Sequence, residues 1–136
     1  MSKEMNIEAK AENLDKVIAF VDEHLVELNC PIKVQMQIEL AVEEIFINIS
    51  SYAYNPEIGP ATIKASVEEN PLAVSLTFID NGVPYDPLAK EDPDTTLGAE
   101  ERGIGGLGIF LVKQTMDDVR YVYKNGSNIL TIKKTI

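Results

Sequence analysis

Three short segments carry residue types able to converge on one phosphate-bearing ligand: Glu44-Ile-Phe-Ile-Asn48, Asp80-Asn81-Gly82 and Gly103-Ile-Gly-Gly-Leu-Gly108. In the first, Glu44, Asn48 and Ser51 stand at i, i+4 and i+7, so their side chains share one face of a helix. The amide oxygen of Asn48 can ligate Mg2+, and a carboxylate one turn earlier, Glu44, can take a proton from a hydroxyl or a water as general base. A plain polar helix face with an i, i+4 hydrogen bond accounts for the same residues. Asn is nonetheless a poor helix-interior residue, because its amide competes for backbone hydrogen bonds. Here it sits amid Ile45, Phe46, Ile47 and Ile49, and such local inconsistency tends to mark functional sites.

Asp80 closes the apolar run Leu-Thr-Phe-Ile and precedes Asn-Gly. As chemistry, it is a strand-end carboxylate able to accept a hydrogen bond from a ligand N–H such as the exocyclic amine of adenine. As architecture alone, Asp-Asn-Gly is a frequent turn, with Gly82 free to adopt positive φ. The glycine segment 103–108, with Leu107 among its members, satisfies G-x-G-x-x-G. The dinucleotide-binding version of that pattern needs a strand directly before it, and Thr95 to Arg102 is not strand-like. No G-x-x-x-x-G-K-[ST] is present, which excludes a P-loop. What remains is a glycine-rich entry to a helix, whose exposed N–H groups and positive dipole end suit phosphate. A flexible hinge explains one or two of these glycines but not four in six residues.

The elements that must position these residues follow from periodicity. Met5 to Lys10 suits a short strand, and Leu14 to Leu28 has helical spacing with Leu14, Val17, Ile18, Val21, Leu25 and Leu28 on one stripe. Asn29-Cys30-Pro31 separates it from a second helix, about Ile32 to Ala53, with a core stripe of Val34, Ile38, Ala41, Val42, Ile45 and Ile49. A turn cluster at Asn55 to Pro60 leads to strands at Ala61 to Val67 and Leu72 to Asp80. In the latter, Val74, Leu76 and Phe78 alternate with Ser75 and Thr77, which predicts a sheet covered mainly on one face. Pro84 to Arg102 reads as a long mobile loop, and Leu107 to Met116 as a short apolar helix. Val119 to Tyr123 and Ile129 to Thr135 are strands joined through Asn125-Gly126, a strong hairpin signal. The order β-α-α-β-β-loop-α-β-β predicts an α+β fold, a two-layer sandwich of a mostly antiparallel mixed sheet with helices on one face.

Composition bounds the function. A chain of 136 residues fits one domain, spanning 1–136, and 45% hydrophobic with 25% charged residues is ordinary for a globular protein. No apolar run approaches the ~18 residues of a membrane span, and Met-Ser-Lys-Glu does not begin a signal peptide, so the expected location is cytoplasmic with no membrane partner. A net charge of −10 argues against duplex nucleic acid or anionic lipid as a partner. A polyphosphate would have to be held by backbone N–H groups, a divalent cation and a few local cations. Cys30 and His24 are the only residues of their kinds, which removes internal disulfides, cysteine clusters and a His-based zinc site. His24 falls on the polar side of its helix and is expected to be solvated there.

Taken together, helix E-x-x-x-N, strand-end D-x-G, a long loop and G-x-G-x-x-G opening a helix resemble the N, G1 and G2 boxes of the Bergerat-fold (GHKL) ATPases. Within that superfamily the chain looks most like the stand-alone anti-sigma-factor serine/threonine kinases of the RsbW type. Glu39-Leu-Ala-Val-Glu-Glu44 with Asn48 and Tyr54, Asp80-Asn-Gly-Val-Pro-Tyr-Asp-Pro87, and Gly105 to Val112 with Met116-Asp-Asp-Val119 have counterparts there. The resemblance covers about residues 5–135. It implies ATP and Mg2+ as cofactors, with Asn48 on the metal, Glu44 as catalytic base, and Asp80 on the adenine amine with Gly82 allowing close approach. Gly103, Gly105, Gly106 and Gly108 would form the base of a lid over the phosphates, within a lid loop of about 84–106. Arg102 would meet a phosphate, and Asn128 would help bind adenine through water. Tyr85 stands where Phe is common and Tyr52 where relatives often carry His. Glu43 adds a carboxylate beside Glu44 that should point away from it.

The function so implied is phosphorylation of a Ser or Thr on a STAS-domain anti-anti-sigma partner, alternating with sequestration of a sigma factor or similar regulator. The resemblance also suggests a homodimer. Two other readings stay open: a nucleotide-gated binding module without useful kinase activity, which would not need Glu44, and the ATP-binding half of a split two-component kinase.

Overall fold

The computed structural model describes residues 2–54, 57–89 and 106–136. The first strand, β1 (Ser2–Glu8), leads through a single 3-10 turn into α1 (Leu14–Glu27). Asn13 ties this corner together by donating its amide to the Glu8 carbonyl at 2.9 Å. Helix α1 presents Val17, Val21 and Leu25, one turn apart, and each is 1% exposed or less. It ends because Asn29 takes a left-handed φ of 54°. The N–H of Cys30 then reaches the Leu25 carbonyl at 3.0 Å and that of Asn29 reaches Val26 at 3.1 Å, a Schellman closure that satisfies the last carbonyls. Pro31 caps the start of α2 (Ile32–Tyr52), where a missing N–H costs nothing.

Helix α2 buries Ile38, Ala41, Val42, Ile45 and Phe46. Phe46 joins the expected stripe one turn after Val42, while Val34 and Ile49 at its margins are half-buried. The stripe is broad because α2 is the middle helix, packed against α1 on one side and α3 (Gly106–Thr115) on the other. Burying side chains of this size stabilises by about 1.5–3 kcal/mol each.

The remaining strands are β2 (Pro60–Glu68), β3 (Ala73–Asp80), β4 (Asp118–Lys124) and β5 (Ser127–Thr135). Their spatial order is β1-β2-β3-β5-β4. Every pairing is antiparallel, so the sheet is not mixed. The reason is the hairpin at Asn125 (φ 53°) and Gly126 (φ 80°), whose left-handed pair of residues folds β5 back along β4. The chain, having crossed over through α3, thereby inserts β5 beside β3 and leaves β4 at the edge. Ile63, Leu76, Phe78 and Ile132 on one face are almost fully buried against the helices. Ser66, Ser75, Thr77 and Thr131 on the other face are only half-buried. The architecture is the α+β two-layer sandwich the sequence predicts. No helix among the described residues is long and apolar enough to cross a membrane.

A second expectation is also corrected. His24 is not solvated but 8% exposed. Its side chain folds back along α1, where Nδ1–H donates to the Phe20 carbonyl at 2.8 Å and the imidazole meets the Phe20 ring edge-on at 5.0 Å. An aromatic residue one turn earlier thus supplies cover that helical spacing alone does not reveal.

Candidate nucleotide site

The inner-face alternation of β3 runs Val74, Leu76, Phe78, then Asp80, and that of β5 runs Ile132, Leu130, then Asn128. The register places Asp80 opposite Asn128. The last layer of the core is therefore a carboxylate and an amide, 5% and 6% exposed. Asn128 Nδ2 donates to Asp80 Oδ1 at 2.9 Å and to the Val83 carbonyl at 2.9 Å. Its Oδ1 accepts from the Tyr85 N–H at 3.1 Å and from the Tyr121 hydroxyl. The Gly82 N–H, at 2.9 Å, is a second donor to Asp80 Oδ1.

The turn after Asp80 is pressed onto the end of α2. A Cβ on Gly82 would lie 2.1 Å from the Ala53 carbonyl oxygen, so only glycine fits. The Val83 N–H bonds that same carbonyl at 3.0 Å. The Tyr54 hydroxyl accepts from the Asn81 N–H at 2.7 Å and donates to the Pro60 carbonyl at 2.6 Å. Burial, and the charge of Asp80 beside it, push the Tyr54 hydroxyl above its usual pKa against the opposing pull of the Asn81 N–H, so it stays a donor. This clamp puts the helix bearing Asn48 and the strand bearing Asp80 on the walls of one pocket.

That pocket encloses about 440 Å3, its open mouth included, and Ile45, Ile49, Phe78, Ile109 and Leu130 make it largely apolar. Its polar lining includes Asn48, Asp80, Tyr121 and Asn128, with Tyr52 and Tyr85 stacked on each other at 5.7 Å between centroids and 26° between planes. Asn48 Nδ2 is buried and has no hydrogen-bond partner among the described residues. Such an atom costs about 1–3 kcal/mol unless something satisfies it. A largely apolar pocket with a few fixed polar atoms suits an aromatic base.

Of the residues singled out from sequence, Asn48, Asp80 and Asn128 line this pocket and Gly82 shapes its wall. Glu44 does not line it. One turn before Asn48, it faces α3 in a neighbouring groove with Ala41, Leu111, Val112 and Thr115. Burial first, then the like charge of Glu43, raises the Glu44 carboxyl above its ordinary range. Glu43 turns to the opposite side, toward Leu14, Asp15 and Ile18 of α1. Gly106, Leu107 and Gly108 form the first turn of α3. Arg102, Gly103 and Gly105 lie outside the described residues, as does most of the predicted lid loop. Sequence reasoning missed Tyr121. Counting back from the Asn125-Gly126 turn pairs it with Leu130, which sets it diagonally across from Asn128 on the inner face.

The fold is that of an ATP-using domain: residues 7–134 match the Histidine kinase-like ATPase domain family, to which the chain belongs. The serine/threonine-protein kinase BtrW of Bordetella bronchiseptica is 30% identical over 100 residues, covering 74% of this chain and 70% of that protein. The serine-protein kinase RsbW of Listeria monocytogenes is 32% identical over 101 residues, covering 71% and 63%. Within the superfamily the chain is thus one of the RsbW-type serine/threonine protein kinases. Among solved structures, the RsbU and RsbW domains of a Mycobacterium tuberculosis protein superimpose with a TM-score of 0.71 at 15% identity, covering 99% of this chain and 32% of the other. The histidine kinase AdeS of Acinetobacter baumannii shares the fold at a TM-score of 0.51 and 14% identity, over 96% and 67%.

Proposed function

We propose that this kinase transfers the γ-phosphoryl group of Mg-ATP to a Ser or Thr hydroxyl of a small STAS-domain anti-anti-sigma protein. In its other state it sequesters a sigma factor or a comparable regulator. It acts in the cytoplasm, as a homodimer, with no nucleic-acid or membrane partner. The observation that carries the reading is the pocket that brings Asn48 together with the strand-end carboxylate of Asp80, the Asn48 Nδ2 being buried there with no acceptor among the described residues.

In this reading Asp80 accepts from the adenine amine, with Gly82 letting the chain pass close to α2. Asn48 is the protein's ligand for Mg2+, through its amide oxygen. Its donor set suits that ion, which takes one or two protein oxygens and completes its shell with water and phosphate. Bound there, Mg2+ supplies positive charge to the phosphate oxygens. The N–H groups of the segment Gly103, Gly105, Gly106, Leu107 and Gly108 cover the phosphates, and Arg102 is their local cation. As the acceptor oxygen bonds to the γ-phosphorus, the bond to the bridging oxygen breaks, ADP leaves, and Glu44 takes the hydroxyl proton. Its raised pKa makes it a better proton acceptor than an ordinary carboxylate. Phosphoryl transfer needs little beyond this positioning and charge neutralisation.

The test is capture of partners from native lysate with Mg-ATP or Mg-ADP, followed by labelled phosphate transfer to them. A recovered STAS protein that accepts phosphate on Ser or Thr supports the proposal. Nucleotide-dependent capture without transfer by the unaltered protein refutes the kinase reading and leaves a gated binding module.

A further inference from the structure

The amide of Asn128 has two donor and two acceptor positions, and the protein itself occupies all of them. Its orientation is not free. The Tyr85 N–H can only donate and the Val83 carbonyl can only accept, so Oδ1 must face Tyr85 and Nδ2 must face Val83. The second proton on Nδ2 then points at Asp80 Oδ1. That oxygen also accepts from Gly82, which leaves it with two donors. Both of these hydrogen bonds to the Asp80 carboxylate fall on Oδ1 and not on Oδ2.

We infer that Asn128 and Tyr121 are a positioning pair for Asp80: they lock its carboxylate so that Oδ2 alone is offered to the ligand, which selects a 6-amino purine over a 6-oxo purine. Asn128 does not itself hydrogen-bond the base, since none of its hydrogen-bonding positions is left. Tyr121 closes the set from the edge strand, where its hydroxyl holds Asn128 Oδ1 from the side opposite Val83. A 6-amino group donates to Oδ2, whereas a 6-oxo group sets oxygen against oxygen. The same amide anchors Val83 and Tyr85, so the carboxylate and the chain segment leaving it are fixed by one side chain. A hydroxyl residue at position 128 could not do this, because a single O–H cannot donate to both Asp80 and Val83. The inference rests on the reading of Asp80 as the residue that binds the base.

The experiment compares Kd for Mg-ATP and Mg-GTP by calorimetry in the parent, Asn128→Ala, Tyr121→Phe and Asp80→Asn, each well below its own Tm. Asn128→Ala is expected to weaken ATP about tenfold and to lower the ATP:GTP preference by a similar factor. Tyr121→Phe is expected to shift both in the same direction by a few-fold, and it carries the test if Asn128→Ala does not fold. A purely structural role would lower Tm and leave the preference intact, and that result overturns the inference. Unchanged ATP affinity in Asp80→Asn instead overturns the base-binding reading beneath it, so the two failures are told apart.

Discussion

The sharpest mechanical prediction concerns Gly82. A methyl group there would lie 2.1 Å from the Ala53 oxygen, 2.5 Å from its carbon and 2.7 Å from its Cα. All three are backbone atoms at the end of α2, so no side-chain rotation relieves the overlap, and the turn must move by more than ~1 Å to reach ordinary contact. Overpacking of this kind costs about 1–3 kcal/mol. Retreat also breaks the 3.0 Å bond from Val83 N–H to the Ala53 carbonyl, about 0.5–1.5 kcal/mol more. The sum, about 1.5–4.5 kcal/mol, corresponds to a Tm lowered by roughly 5–16 °C in a domain of this size. Thermal unfolding followed by circular dichroism measures it, with Gly126→Ala as comparison. At Gly126 a methyl group meets nothing within 4 Å and only the φ of 80° is strained, at about 1 kcal/mol. If Gly82→Ala melts within 2 °C of the parent, or no lower than Gly126→Ala, the clamp between α2 and β3 is not what holds the pocket together.

Three further outcomes are expected. Asp80→Asn keeps its oxygen on the Gly82 and Asn128 donors and turns an NH2 toward the base; losing a charge-assisted bond, about 1.5–3 kcal/mol, weakens ATP roughly ten- to a hundredfold by calorimetry. Glu44→Gln should leave nucleotide affinity nearly unchanged and slow transfer to the acceptor by ~10²–10⁴; because the Glu44 pKa is raised, its stabilising contribution is complete below the ordinary carboxylate range and lost as pH rises through the raised value, so the variant gains Tm relative to the parent at neutral pH and not in acid. Asp117 runs the other way. The Thr135 N–H, at 2.5 Å, holds its carboxyl below the usual range, so it stabilises above that range and ceases to as pH falls through the lowered value; Asp117→Asn should lower Tm at pH 7 and match the parent in strong acid.

Much of the fold was legible because its periods are clean. The i, i+4 spacing of Val17, Val21 and Leu25, the alternation of Val74, Leu76 and Phe78, and the Asn125-Gly126 turn each specify local geometry directly. Asn48 stood out as a polar residue inside an apolar helix, and Asp80 as the polar member of an apolar alternation. What sequence could not deliver was distance across the fold. The hydroxyl of Tyr121 reaches Asn128 only because the hairpin register brings them together, and the buried His24 packs edge-on against Phe20 one turn earlier. Glu44 and Asn48 are one turn apart on α2, yet α3 divides the space beside them, so the two face different grooves.

The polar closing layer of the core has a thermodynamic consequence. Where a sandwich of this kind would end in another pair of interlocked aliphatic side chains, this one ends in Asp80 and Asn128 and a slot walled by Ile45, Ile49 and Phe78. On the function proposed above, a base that binds there covers this layer, and binding is then linked to folding. At a hundred times its Kd a ligand adds about 2.7 kcal/mol to stability, roughly 8–10 °C in Tm for a domain of this length. The resistance of this chain to unfolding would then track the cell's adenine nucleotide pool.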